Sequence, residues 1–153
     1  MDLSPFEAAS ALLPGMLPAG LGEVRSYAHK YGMKVWFDTE KATREHYEAQ
    51  VVGAKDVPDA KVLAIEVGFH AEHSKEAENE AVLAALVAKE KVWRKGIGKE
   101  AEATVFLGRA QHWRRVSETW IDPDLGDPDL AFEVAARLTD YITAIEPVRR
   151  AKR

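Results

Sequence analysis

Cysteine is absent from all 153 residues. That excludes disulfides, thiolate nucleophiles and every zinc site with a cysteine ligand. It fits a reducing compartment, and a cytoplasmic protein is the expectation. Long hydrophobic runs are missing too, since no stretch approaches the ~20 apolar residues of a membrane span. A basic surplus is also missing. Lys and Arg number 21 against 25 Asp and Glu, giving a net charge of −4, whereas a duplex nucleic-acid binder usually presents a basic face. Nucleic acid is therefore not a favoured partner. The opening "MDLSPFEAASALLPG" lacks a basic n-region and does not read as a signal peptide. G-x-G-x-x-G, P-loop, G-x-S-x-G and H-E-x-x-H motifs do not occur, so no motif points to nucleotide, serine-hydrolase or zincin chemistry.

What is present suits one globular domain over 1–153. A chain of this length buries roughly two-thirds of its unfolded surface without staples. A helical arm is expected over 1–20, where Ser4, Pro5 and Glu7 form a capping box and Pro14-Gly15 stops the turn. Leu21, Val24 and Ala28, with Tyr27 and Tyr31, predict a second helix ending at Gly32. The period then changes to two. "KVWFD", "HYEAQVV" and "KVLAIEVGFH" predict three sequential strands. "SKEAENEAVLAALVAKEKVWRKGIG" predicts one long helix, capped by Ser74 and ended at Gly96 or Gly98. "ATVFLG" and "HWRRVSETWI" add two strands. Asp127-Pro128 opens a final helix that Pro147 ends, leaving a basic tail over 148–153. The order is α-α-β-β-β-α-β-β-α. The fold class is α+β, with a mostly antiparallel sheet of about five strands and helices chiefly on one face.

Strand parity places the polar residues. Leu63, Ile65, Val67 and Phe69 share one face of the third strand, and Glu66, Gly68 and His70 share the other. If every apolar set meets the helices, Asp38, Glu48, Gln50, Glu66 and His70 decorate one polar face. Such a face is usually solvent-washed in an antiparallel sheet. Carboxylates on adjacent strands suit a hard divalent ion such as Mg2+ or Mn2+. Asp38, Glu48, Glu66 and His70 are the candidate ligands. Glu66 and His70 start ~13 Å apart along an unbent strand, so sharing one ion would need a bend at Gly68. His70 and His73 approach each other if the strand has ended there.

The run "FDTEKATREHYEAQ" resembles the D-x(n)-(D/E)-x-K pattern of the PD-(D/E)XK nuclease-like superfamily. Asp38 stands for the first acid, Glu48 for the second, and Gln50 where that family usually has lysine. The family core, α-β-β-β-α-β, is similar to the order from Leu21 through the fourth strand. The resemblance implies metal-holding acids and a catalytic set of Asp38, Glu48, Gln50 and Glu66. An alternative alignment uses Glu48 and Glu66, with Gly68 at the lysine position, and describes an inactive site.

"WRRVSETW" is the other unusual segment. Trp113 and Arg115 lie on one face, with Arg114, Glu118 and Trp120 on the other, so Arg114 and Glu118 are expected to pair. Tryptophan and arginine together suit an interface. Trp36, Trp113, Arg114, Arg115 and Trp120 are the candidate binding residues. Two functions follow as expectations. One is a non-catalytic interaction module that uses the polar face and binds a protein partner or a second copy of itself. The other is a divalent-metal-dependent phosphodiesterase-like enzyme.

Overall fold

The computed structural model describes residues 3–108 and 110–151. Its organising element is a six-stranded sheet of β1 (Val24–His29), β2 (Gly32–Phe37), β3 (Glu45–Gly53), β4 (Leu63–Ala71), β5 (Glu102–Val105) and β6 (Arg114–Ile121). The spatial order is β1-β2-β3-β4-β6-β5, antiparallel at every pairing. Four helices accompany it: α1 (Pro5–Leu12), α2 (Glu76–Val87), α3 (Glu90–Ile97) and α4 (Leu130–Arg150). The α+β class and the helix-covered face agree with the sequence. Among the described residues, no helix is long and apolar enough to cross a membrane.

The expected second helix is instead strand β1. Val24 and Ala28 satisfy a helical spacing, but they equally share one face of a strand, with Ser26 between them. The sheet decides the matter: β1 pairs along β2, and Lys30-Tyr31 make a two-residue hairpin turn with His29 opposite Gly32. Gly32 begins a strand rather than ending a helix.

The long helix is broken between Val87 and Glu90. Its N-cap is Lys75, not Ser74, and makes no side-chain cap bond. The break lets Trp93 turn back and donate its indole N–H to the Leu86 carbonyl at 2.7 Å. Gly98, at φ 96°, closes α3. The final helix starts at Leu130 and runs through Pro147 to Arg150. Arg149 and Arg150 do not form a solvated tail, because both ion-pair with Glu146. Lys152 and Arg153 lie outside the described residues.

The main core fills the space between helices and sheet. Met33, Val35, Tyr47, Ala49, Ile65, Val67, Phe69 and Val116 meet Phe6, Ala9 and Leu13 of the first turns, Trp93, and the α4 stripe Val134, Leu138, Tyr141, Ile142 and Ile145. The capping box of α1 forms as expected, with Ser4 and Glu7 bonding reciprocally.

α4 is also clamped to β3 by polar groups. Buried Glu146 accepts hydrogen bonds from the Tyr47 hydroxyl at 2.9 Å, from Arg150 at 2.8 Å and from Arg149. Burial alone would raise the Glu146 pKa, but Arg149, Arg150 and Tyr47 outweigh it and hold the carboxyl below its ordinary value. A carboxyl with a depressed folded pKa stabilises fully above its unfolded value, and that contribution disappears as pH falls through the folded one. Glu146→Gln is therefore expected to cost about 1.5–3 kcal/mol near neutrality, the range for hydrogen bonds to a charged group, since glutamine keeps an acceptor for Tyr47. The gap between parent and variant should close well below pH ~4.3. Urea midpoints across that range measure both; a gap that persists in acid would refute the assignment.

Over β4 and the adjoining parts of β3 and β6 the second face of the sheet is covered rather than open to water, contrary to expectation, while its β1 edge stays exposed at Tyr27 and His29. After β3 the chain folds back through a 3-10 turn at Ala54–Asp56, and Val57 and Ala60 join Val52 and Ala64 in a small second cluster. The β5–β6 connection brings the Phe106 ring to 4.7 Å from that of His70, with Trp113 edge-on to Phe106 at 5.2 Å. Polar side chains that alternation placed on a wet surface are thus buried beneath two loops.

Candidate metal centre

Strand β3 carries His46-x-Glu48, and β4 runs out into His70-x-Glu72. The period of two puts each histidine on the same side as its glutamate. The register sets His46 directly opposite His70. Because the strands are antiparallel, Glu48 extends to one side of that pair and Glu72 to the other, so the backbones of the two H-x-E units are related by a local twofold.

Four ligand-type atoms converge between them. His46 Nε2 lies 3.0 Å from Glu48 Oε1 and 3.4 Å from Glu72 Oε2. His70 Nδ1 lies 3.2 Å from the same Glu48 oxygen and 3.0 Å from the same Glu72 oxygen. All four atoms fall within 4.8 Å of one another. Neighbouring ligands at a tetrahedral ion with 2.0–2.1 Å bonds stand about 3.3 Å apart, close to the four nitrogen–oxygen separations of this ring.

The outer nitrogens are committed elsewhere. His46 Nδ1 is 2.8 Å from the Thr43 carbonyl, an acceptor, so it carries the proton. His70 Nε2 is 2.9 Å from Glu66 Oε2. Glu66 is fully buried and is held in turn by the Gln50 amide at 2.9 Å and the Ser117 hydroxyl at 2.6 Å. Arg115 supports Ser117 at 2.9 Å. This is the outer-shell pattern that fixes the tautomer of a metal-bound imidazole and raises its basicity.

The electrostatics couple the two imidazoles tightly to the carboxylates. Burial pushes both imidazoles toward the neutral form, but Glu48 and Glu72 around His46, and Glu66 and Glu48 around His70, outweigh it and raise both pKa values. Burial likewise opposes ionisation of Glu48 and Glu72, yet the histidines hold Glu48 far below the carboxylate range and Glu72 at about 2. Three carboxylates, Glu48, Glu66 and Glu72, thus share a buried face with two imidazoles biased toward the charged form, and each group's charge compensates the other's.

The structure brings together Glu48, Gln50, Glu66 and His70 from the predicted polar face. Glu66 and His70 meet directly at 2.9 Å without a bulge, because Gly68 between them has no side chain and both neighbours lean over the gap. Glu66 contacts the far nitrogen of His70 and stands behind the four-atom ring. Asp38 is elsewhere: its carboxylate accepts the Glu23 N–H at 2.8 Å. His73 pairs with Glu45 and Glu78 rather than approaching His70.

The binding candidates also separate. Trp36 is only 7% exposed and donates to the Thr39 carbonyl. Arg114 reaches Glu76 and Glu80 on α2, so the expected Arg114–Glu118 pair does not form. Glu118 instead takes Arg137, Tyr141 and Trp120. Trp120 packs against the main core, and Arg115 lies buried on the second face.

Sequence reasoning missed His46 and Glu72 as partners of this cluster. The repeated H-x-E, once on each of two neighbouring strands, is the signal that finds them. No family model, curated protein or solved structure matches this chain.

Proposed function

We propose that this protein binds one divalent transition-metal ion through His46, Glu48, His70 and Glu72. The observation that carries the reading is the four-atom ring. Each inner nitrogen sits between two carboxylate oxygens at similar distances. A proton on that nitrogen would point at one oxygen, whereas an ion at the centre uses all four atoms. Two imidazole nitrogens with two carboxylates suit zinc, iron or manganese better than magnesium, which prefers oxygen ligands.

This reading extends the expectation of a binding module acting through the second sheet face. The phosphodiesterase-like alternative shares Glu48 but also calls on Asp38, whose carboxylate is engaged with Glu23. Hydrolysis of a simple aryl phosphodiester by the metal-loaded protein tests that alternative in the same preparation.

After chelator treatment, the protein is expected to take up one equivalent of Zn2+ or Mn2+. Free metal at ~100 times its Kd should stabilise the fold by about 2.7 kcal/mol, since the ion binds the folded state. Glu48→Gln should remove most of that gain. Isothermal titration and thermal melts measure both; no uptake and no stabilisation with any of zinc, manganese, iron, cobalt or nickel would sink the reading.

A further inference from the structure

Beside the four-atom ring lies a cleft of about 540 Å3, within the usual range for small-molecule sites. Glu48 and Glu72 line it, and neither histidine does. His46 and His70 are at most 2% exposed, while Glu48 and Glu72 keep 8% and 6%. A centre held by these residues is thus approached from its carboxylate side. Lys34 stands at that approach. Its Nζ is 3.9 Å from Glu72 Oε1, the oxygen turned away from the ring. Phe106 and Trp113 supply an apolar wall.

Resting on the metal reading above, we infer that this cleft is a metal-gated receptor for a small oxyanion, a carboxylate or phosphate head group that ligates the ion and pairs with Lys34.

The ion itself supplies the gate, because an oxyanion can ligate only a loaded centre. Among the described residues, the charged lining is Lys34 and Lys55 against Glu48, Glu72 and Asp56, a mixed set with no basic surplus to draw an anion in without the ion. With four protein ligands in place, the anion would enter by expansion of the ion from four to five ligands. Phe106 and Trp113 would then cover the body of an organic anion, and Lys34 would fix its second oxygen, much as a point-charge lysine does at phosphate sites. By linkage, the anion must tighten the metal by the same factor as the metal tightens the anion.

Co2+ is the probe, because its visible absorption changes when a ligand is added. Protein loaded with Co2+ and freed of excess ion is titrated separately with acetate and with inorganic phosphate, beside a metal-free control. The expected result is a saturable spectral change in the loaded protein with at least one of the two anions, and no anion-dependent stabilisation of the metal-free protein. Response to one anion alone assigns the head-group class. Lys34→Met should weaken the response about tenfold, the loss of one unit charge close to the anion. Its anion-free spectrum verifies that the centre is loaded. If Co2+ binds but neither anion perturbs it, the receptor is refuted and the metal site stands. An equal response in Lys34→Met also refutes it. If Co2+ does not bind, both readings fall together.

Discussion

Replacing His70 by alanine is expected to abolish metal binding and to destabilise the metal-free protein by about 3–5 kcal/mol, the cost of stranding a buried charge. One imidazole here serves three carboxylates: Nε2 faces Glu66 at 2.9 Å, and Nδ1 faces Glu72 at 3.0 Å and Glu48 at 3.2 Å. Glu66 is fully buried, so water cannot replace the lost donor without opening the face. Removing an outer-shell partner typically weakens a metal site 10–100-fold, and removing a ligand should cost more. Ser117→Ala takes away one of the bonds that hold Glu66 and should fall in that smaller range. His70→Gln retains a donor for Glu66 and separates the two effects, with folding largely restored and metal binding still lost. Metal titration against a competing chelator, with urea unfolding of each variant, measures them. Wild-type metal affinity in folded His70→Gln would remove His70 from the ligand set.

Gly68→Ala is expected to be the most damaging single-methyl addition in the chain, at about 3 kcal/mol or more, at or above the upper end for overpacking a core. A Cβ at this position would sit 2.3 Å from the Val116 carbonyl oxygen and 2.6 Å from Ser117 Cα, both backbone atoms of β6. Neither can move without breaking the Gly68–Ser117 register pair. The added carbon also lies 2.6 Å from Ser117 Cβ, whose hydroxyl holds Glu66. Gly53→Ala is the opposite case. Its φ and ψ of −68° and 154° suit alanine, and nothing lies within 4 Å of the added carbon. It should stabilise by about 0.4–1 kcal/mol through reduced freedom of the unfolded chain. Urea midpoints of the two variants should move in opposite directions. A neutral Gly68→Ala would mean that β4 and β6 are less closely packed than described.

Much of the site was legible as a face and little of it as a centre. Alternation alone put Glu48, Gln50, Glu66 and His70 together, because apolar partners on the same strands had to meet the helices. It could not join Glu66 to His70, since the reach of two long side chains over a glycine does not follow from backbone rise. It passed over His46 and Glu72, which lie outside the nuclease-like pattern that singled out Asp38. It also read β1 as a helix. Val24 and Ala28 fit both periods, and only pairing with β2 chooses between them.

The sequence by itself determined the α+β class, the strands β2 to β6, the capped first helix and the shared face of Glu48, Gln50, Glu66 and His70. These depend on local periodicity and caps. Tertiary structure alone decided which of those residues touch. A slip of two residues between β3 and β4 would preserve every face, yet it would carry His46 ~7 Å along from His70. The observed register places them opposite each other, and the chain around Phe106 then packs against His70. Burial by that distant segment turns four ordinary polar side chains into one coupled cluster.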